Sequence, residues 1–304
     1  MYLPRRKFIK TTGLALGASL LPFQRLLAAA NGLAEDTEMK LLRDSVGVFT
    51  GRGGTIGWLI NDSAMVAIDS QFPDYAKKFI EKAKEKTDRE MDLLINTHHH
   101  GDHTGGNIAF KGLVKKVVAH ENSKANQMRV AKARNQEENQ LYPNSTFTLE
   151  WSQYLGKETV TTKYFGPAHT NGDIIIHFEN ANVTHMGDLM FNRRFPFIDR
   201  SSGASIQGWI NVLKTARSTY EKDTIFIFGH AAEGYEITGT QEDLKAFENY
   251  LNRLLQYTKK EIKKGKSLED LKAAGLTAIP KAEEWSGRGI ERSLQAAYEE
   301  LTEE

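Results

Sequence analysis

Short apolar runs broken by turn residues fill the first third of the chain beyond residue 40. Residues 41–50 suit a strand, Gly51-Arg52-Gly53-Gly54 suits a turn, and the runs 55–60 and 65–69 read as a hairpin joined at Asn61-Asp62-Ser63. A helical period then takes over. Asp74 is placed to cap a helix reaching about residue 86, with Phe79, Ile80 and Ala83 on one face and lysines on the other. Residues 92–96 and 114–119 predict strands, and 121–138 a polar, exposed helix. Strands follow at 159–164, 173–178 and 183–186, the last two separated by Glu179-Asn180-Ala181-Asn182. Ser205 opens a helix to about residue 220, residues 224–228 form the last clear strand, and 241–264, 268–274 and 290–301 are helical. Strands and helices alternate in two halves without repeat or linker, which predicts one α/β domain with a helical C-terminal end.

The first thirty residues follow a different pattern. Pro4-Arg5-Arg6-Lys7-Phe8-Ile9-Lys10 leads into a small-residue apolar stretch and then Leu27-Ala28-Ala29-Ala30. A basic segment, an apolar segment and an Ala-x-Ala site in that order describe an export signal cleaved after Ala30. The apolar run is too short to span a bilayer, which needs about 20 residues. The paired arginines resemble a twin-arginine signal, which implies the twin-arginine export machinery as a partner and a periplasmic or extracytoplasmic mature protein. Three segments are expected: a signal at 1–30, a main α/β domain at 31–240 and a helical extension at 241–304 packed on that domain.

Charge and cysteine content narrow the chemistry. Five of the 40 basic residues lie in the first thirty, leaving 35 basic against 39 acidic residues over the rest of the 304-residue chain. That balance argues against a nucleic-acid partner. The absence of cysteine excludes disulfides, thiolate metal sites and a cysteine nucleophile.

Four of the nine histidines fall within Thr97-His98-His99-His100-Gly101-Asp102-His103-Thr104. The segment leaves an apolar strand, and in extended chain i and i+2 share a side, so His98 and His100 face one metal while His99 points elsewhere. Asp102 and His103 lie beyond the glycine turn and can face a neighbouring metal. Imidazoles with carboxylates suit zinc, iron or manganese. Three later segments also place ligand-type residues just past strands: Ala168-His169-Thr170, Met186-Gly187-Asp188 and Gly229-His230. Asp69 is a candidate for holding a histidine tautomer. Asp173, His120, His177 and His185 read as structural, and residues 191–198 as a candidate wall of the substrate groove.

This order of residues, His-x-His-x-Asp-His followed by His, Asp and His, resembles the metallo-β-lactamase fold superfamily from about residue 39 to 235. The resemblance implies an αββα sandwich with a two-metal site at one edge of the sheets. It implies that one metal takes His98, His100 and His169, that a second takes Asp102, His103 and His230, and that Asp188 bridges them. Two divalent ions, zinc above iron or manganese, would share a water whose pKa drops from about 16 toward 7. Asp102 would accept its proton. The implied reaction is hydrolysis of a small-molecule ester, lactone, thioester or amide, β-lactams included. Asp188 stands where the classical zinc β-lactamases carry cysteine, which points to the glyoxalase II, lactonase and general hydrolase branches. Two alternatives stay open: a mononuclear-iron dioxygenase of the same fold acting on persulfides, and a metal-binding protein without turnover.

Overall fold

The structure, a computed structural model, describes residues 37–275 and 279–303. Residues 1–30, read above as an export signal, lie outside the described residues. Seven strands form the first sheet in sequence order: β1 (Glu38–Arg43), β2 (Val46–Thr50), β3 (Ile56–Ile60), β4 (Met65–Ile68), β5 (Met91–Ile95), β6 (Val114–His120) and β7 (Ser145–Phe147). Strands β1 to β4 pair antiparallel, and β4 to β7 run parallel.

The second sheet has the order β15-β13-β11-β10-β9-β8. Its strands are β8 (Glu150–Leu155), β9 (Glu158–Lys163), β10 (Ile175–Phe178), β11 (Val183–His185), β13 (Ile225–Ile227) and β15 (Thr238–Gly239), while β12 (Phe191–Asn192) and β14 (His230–Ala231) pair separately. Seven helices accompany them among the described residues: α1 (Pro73–Lys84), α2 (Gly101–Thr104), α3 (Glu121–Ala133), α4 (Ile206–Thr219), α5 (Gln241–Lys263), α6 (Leu268–Ala274) and α7 (Ile290–Thr302).

Alternation along the strands explains the layering. Val66 and Ile68 on β4 join Ile95, Val160, Ile176 and Ile227 in a core between the two sheets. Their neighbours Met65 and Ala67 turn outward to meet Phe79 and Ile80 of α1. On the outer face of the second sheet, Ile175 and Phe226 pack against Trp209 of α4, Leu244 and Phe247 of α5 and Leu294 of α7. The result is helix, sheet, sheet, helix, the αββα sandwich. No helix among the described residues is long and apolar enough to cross a membrane.

Several boundaries differ from the sequence reading. The strand expected over 41–50 is a hairpin, because Asp44 adopts a left-handed conformation (φ 50°) between β1 and β2. Helix α1 is capped by Phe72 with Pro73 in its first turn, so Asp74 sits inside the turn rather than before it. Helix α3 stops at Ala133, near Asn135 at φ 52°. Strand β8, absent from the sequence reading, is an edge strand with every second residue exposed.

The parallel strands β4 and β5 end on one edge, and so do β11 and β13. Cross-sheet hydrogen bonds tie these edges together: Thr55 N–H donates to Gly229 O (3.2 Å) and Ile174 N–H to Thr97 O (2.9 Å). The loops after these strands carry the histidines and aspartates. Ligand sites of open α/β sheets lie at such carboxyl ends.

Candidate metal centre

Seven residues from four loops converge at this edge. His98, His100, His169 and Asp188 form one group whose candidate donor atoms lie within 4.8 Å of one another; Asp102, His103 and His230 form a second. The backbone at Thr97–His99 has left the sheet and bends, so the extended-chain reason for pairing His98 with His100 does not hold there. Their rings nonetheless meet, with His98 Nε2 3.1 Å from His100 Nδ1. His169 Nε2 lies 2.9 Å from the same His100 nitrogen.

Outward hydrogen bonds fix which nitrogens face inward. His169 Nδ1–H donates to Phe197 O (2.7 Å). His98 Nδ1 lies 3.0 Å from Thr97 Oγ1, which itself donates to Asp69 Oδ2, so it takes the His98 proton. His103 Nδ1 lies 2.7 Å from Asp69 Oδ2. The bonds of His169 and His98 leave an unprotonated Nε2 turned toward the centre, and His103 also turns its Nε2 inward. His103 Nε2 and Asp188 Oδ1 are buried 2.9 Å apart. Inward imidazole lone pairs on His98 and His169 beside a buried carboxylate are what a divalent cation satisfies, so these residues fit metal ions.

Asp188 joins the two groups. Its Oδ2 lies 3.5 Å from His169 Nε2 and 3.9 Å from His98 Nε2, and its Oδ1 faces His103 and, at 3.4 Å, His230 Nε2. It sits in a turn (Gly187–Leu189) where Gly187 takes φ 50° directly against Thr97. Trp209 Nε1–H donates to Leu189 O (2.9 Å) and anchors that turn to α4. Asp102 Oδ2 lies 3.2 Å from His230 Nε2, and its side chain is the most open of the seven at 32 % exposed.

Supporting residues also fall into place. Asp69, fully buried with φ 63°, accepts from Thr97 N–H and Oγ1–H besides His103. Asp173 accepts from Thr170 N–H and Oγ1–H and so shapes the His169 loop; burial raises its pKa to about 6. His120 caps α3, His185 contacts Thr55 O, and His177 contacts Thr184 Oγ1. His99 turns away, its Nε2 3.2 Å from Ser202 Oγ.

Sequence reasoning missed the roles of four residues. Phe197 holds His169 through a carbonyl, which carries no residue signature. Asp199 Oδ2 lies 3.0 Å from His100 Nε2, in an irregular stretch with no motif around it. Gly54 and Gly229 leave the space that the His103 ring and Asp188 Oδ1 occupy.

Protonation separates the two groups. Burial, with help from neighbouring imidazoles, holds His98 well below the usual histidine range and His169 down to about 3. Burial also opposes charge on His103 and His230, but Asp188 with Asp69 lifts the first well above its ordinary value, and Asp188 with Asp102 lifts the second to about 9. In the metal-free protein His103 and His230 therefore carry protons at pH 7, and His98 and His169 do not. A raised folded pKa stabilises below the unfolded value near 6.5 and loses that contribution as pH climbs through about 9. Metal loading at the second group displaces those protons. Its affinity is expected to rise about tenfold per pH unit for each proton displaced between pH 6.5 and 9, while the first group, with His98 and His169 already unprotonated, depends on pH less steeply. Competition with a chelator across that range checks this; two equally pH-independent sites would contradict it.

The profile of the metallo-beta-lactamase superfamily matches residues 58–230, more than half of the chain and the span from β3 to the last histidine. The chain belongs to the metallo-β-lactamase superfamily. A hydroxyacylglutathione hydrolase of Synechococcus sp. (strain JA-3-3Ab) is 25 % identical over 137 residues, 44 % of this chain and 48 % of the relative, so the chain spans about half that protein's length. A type 2 metallo-beta-lactamase of Bacillus sp. (strain 170) is 24 % identical over 180 residues, 59 % of this chain and 67 % of that one. Among solved structures, a metallo-beta-lactamase from Pontibacter korlensis superposes with a TM-score of 0.58 at 16 % identity, covering 71 % of this chain and 99 % of that one. By their names, the two curated relatives are hydrolases, one of a hydroxyacylglutathione and one of the metallo-beta-lactamase type.

Proposed function

We propose that the protein is a dinuclear zinc hydrolase acting on an ester, lactone, thioester or amide bond of a small molecule. The observation that carries this reading is Asp188, which turns one oxygen to each of two donor groups. Three histidines would hold the first ion, and Asp102, His103 and His230 the second. When bound, two divalent ions supply a water nucleophile at neutral pH and polarise a carbonyl. Asp102 contributes through its exposed oxygens. Burial works against its charge, but His103 and His230 outweigh it and hold the pKa at about 2, so it is ionised and accepts a hydrogen bond from an incoming water. The second group contains no sulfur donor, since the chain has no cysteine. The mouth is flanked by the Phe197 ring, 44 % exposed and 5.4 Å from that of His100. The names of the relatives, a hydroxyacylglutathione hydrolase and a metallo-beta-lactamase, support hydrolysis as the reaction class. The paired arginines and Ala-x-Ala site of residues 1–30 support action outside the cytoplasm.

Zinc-loaded protein is to be assayed against aryl esters, lactones, thioesters and β-lactams. Turnover of at least one class, lost with chelator and restored by zinc, is expected. Oxygen consumption with a persulfide by iron-loaded protein, without hydrolysis of any class, would overturn the reading.

A further inference from the structure

His100 differs from the other histidines of its group. His98 and His169 face inward through Nε2, whereas His100 faces inward through Nδ1, 3.1 and 2.9 Å from the other two. Its Nε2 points the opposite way, 3.0 Å from Asp199 Oδ2. An imidazole offers Nδ1 as a lone pair only if its proton sits on Nε2, and a carboxylate facing Nε2 fixes it there.

Asp199 is itself held. Ser201 Oγ–H donates to its Oδ1 (2.6 Å), and its backbone N–H donates to His169 O (3.2 Å). The approach to it is braced from the C-terminal segment: Phe195 N–H donates to Ser286 O (3.0 Å), and Ser286 N–H donates to Arg193 O (2.9 Å). On its far side Arg200 pairs with Glu303 (3.0 Å) on the end of α7. The loop thus presents two oxygens, Phe197 O and Asp199 Oδ2, to two histidines of one group, and the helical extension fixes the loop.

We infer that Asp199 is a positioning residue for the first metal: it sets the His100 tautomer and orients Nδ1, and so raises the affinity of the His98–His100–His169 group selectively. The inference rests on the two-metal reading of the site. His99, His100 and Asp199 also bring donor atoms together, within 4.8 Å. A separate ion there would need His100 Nε2 and compete with the hydrogen bond to Asp199.

The test is titration of metal-free full-length protein with zinc against a competing chelator, for the wild type, Asp199→Asn, Asp199→Ala and Ser201→Ala. Thermal unfolding of each metal-free protein runs beside it. For Asp199→Ala, one equivalent is expected to weaken by about 10–100-fold while the other is unchanged. Asp199→Asn, which keeps an acceptor oxygen without the charge, is expected to fall between. Ser201→Ala leaves the carboxylate in place and is expected to shift that equivalent by less than Asp199→Ala. It also keeps the test open if the Asp199 variants fold poorly. The metal-free melting temperatures are expected to stay together, which a purely structural role would not allow. Wild-type affinity for both equivalents in Asp199→Ala overturns the inference, as does equal weakening of both. A third wild-type equivalent lost in that variant overturns it in favour of a separate ion site. A wild type that binds one ion and loses it in Asp199→Ala retains the positioning role and removes the dinuclear reading. A wild type that binds none removes both.

Discussion

Asp188→Asn is expected to strip at least one ion from the protein and lower turnover by about 100-fold or more. Loss of a partner one shell out costs about 10–100-fold, and Asp188 is in direct reach of both groups. The side chain is 4 % exposed, with Oδ2 toward His98 and His169 and Oδ1 toward His103 and His230. Burial alone would raise its pKa, yet the two histidines of the second group outweigh burial and hold it well below the usual carboxylate range. Asparagine removes that charge and replaces one inward oxygen with an N–H donor, which would face a ring nitrogen in one group or the other. Elemental analysis of the variant together with its kcat checks this. Two ions per chain with wild-type turnover would show that Asp188 does not bridge.

Gly229→Ala is expected to damage the centre without touching a ligand. A Cβ at this position runs into Asp188 Oδ1 and into the Gly187 backbone, which Gly229 N–H already binds at Gly187 O (2.8 Å). The carboxylate has to move, because the Gly187 turn behind it is locked against Thr97. Displacement of a reacting group by about 1 Å costs about 100-fold in rate, and overpacking costs about 1–3 kcal/mol of stability. The variant should show both a lower melting temperature and a lower kcat at saturating zinc. Unchanged values of each would mean that the loop yields freely.

The site was largely legible in the sequence because its signal is short-range and chemically typed. His98 to His103 lie within six residues, and Asp188 and His230 come just beyond β11 and β13, where residue type and position are both readable. Asp69 was readable for the same reason, at the end of β4. What was not legible depends on distant chain. Phe197 acts through a carbonyl that any residue supplies. Asp199 reaches His100 because segments near Ser286 and Glu303 hold its loop, and no local pattern records that. Gly54 and Gly229 matter for the atoms they leave out. In the fold, Asp44 hides a hairpin inside one apolar stretch, since a single left-handed residue suffices to reverse it. Strand β8 pairs on one side only and keeps half its residues in water, which weakens the apolar signal.

Elemental analysis of the purified, active protein, as metal atoms per chain, tests the two-metal reading most directly. Two zinc atoms per chain are expected, falling toward one in Asp188→Asn. One iron per chain, unaffected by loss of Asp102 or His230, would contradict the dinuclear hydrolase.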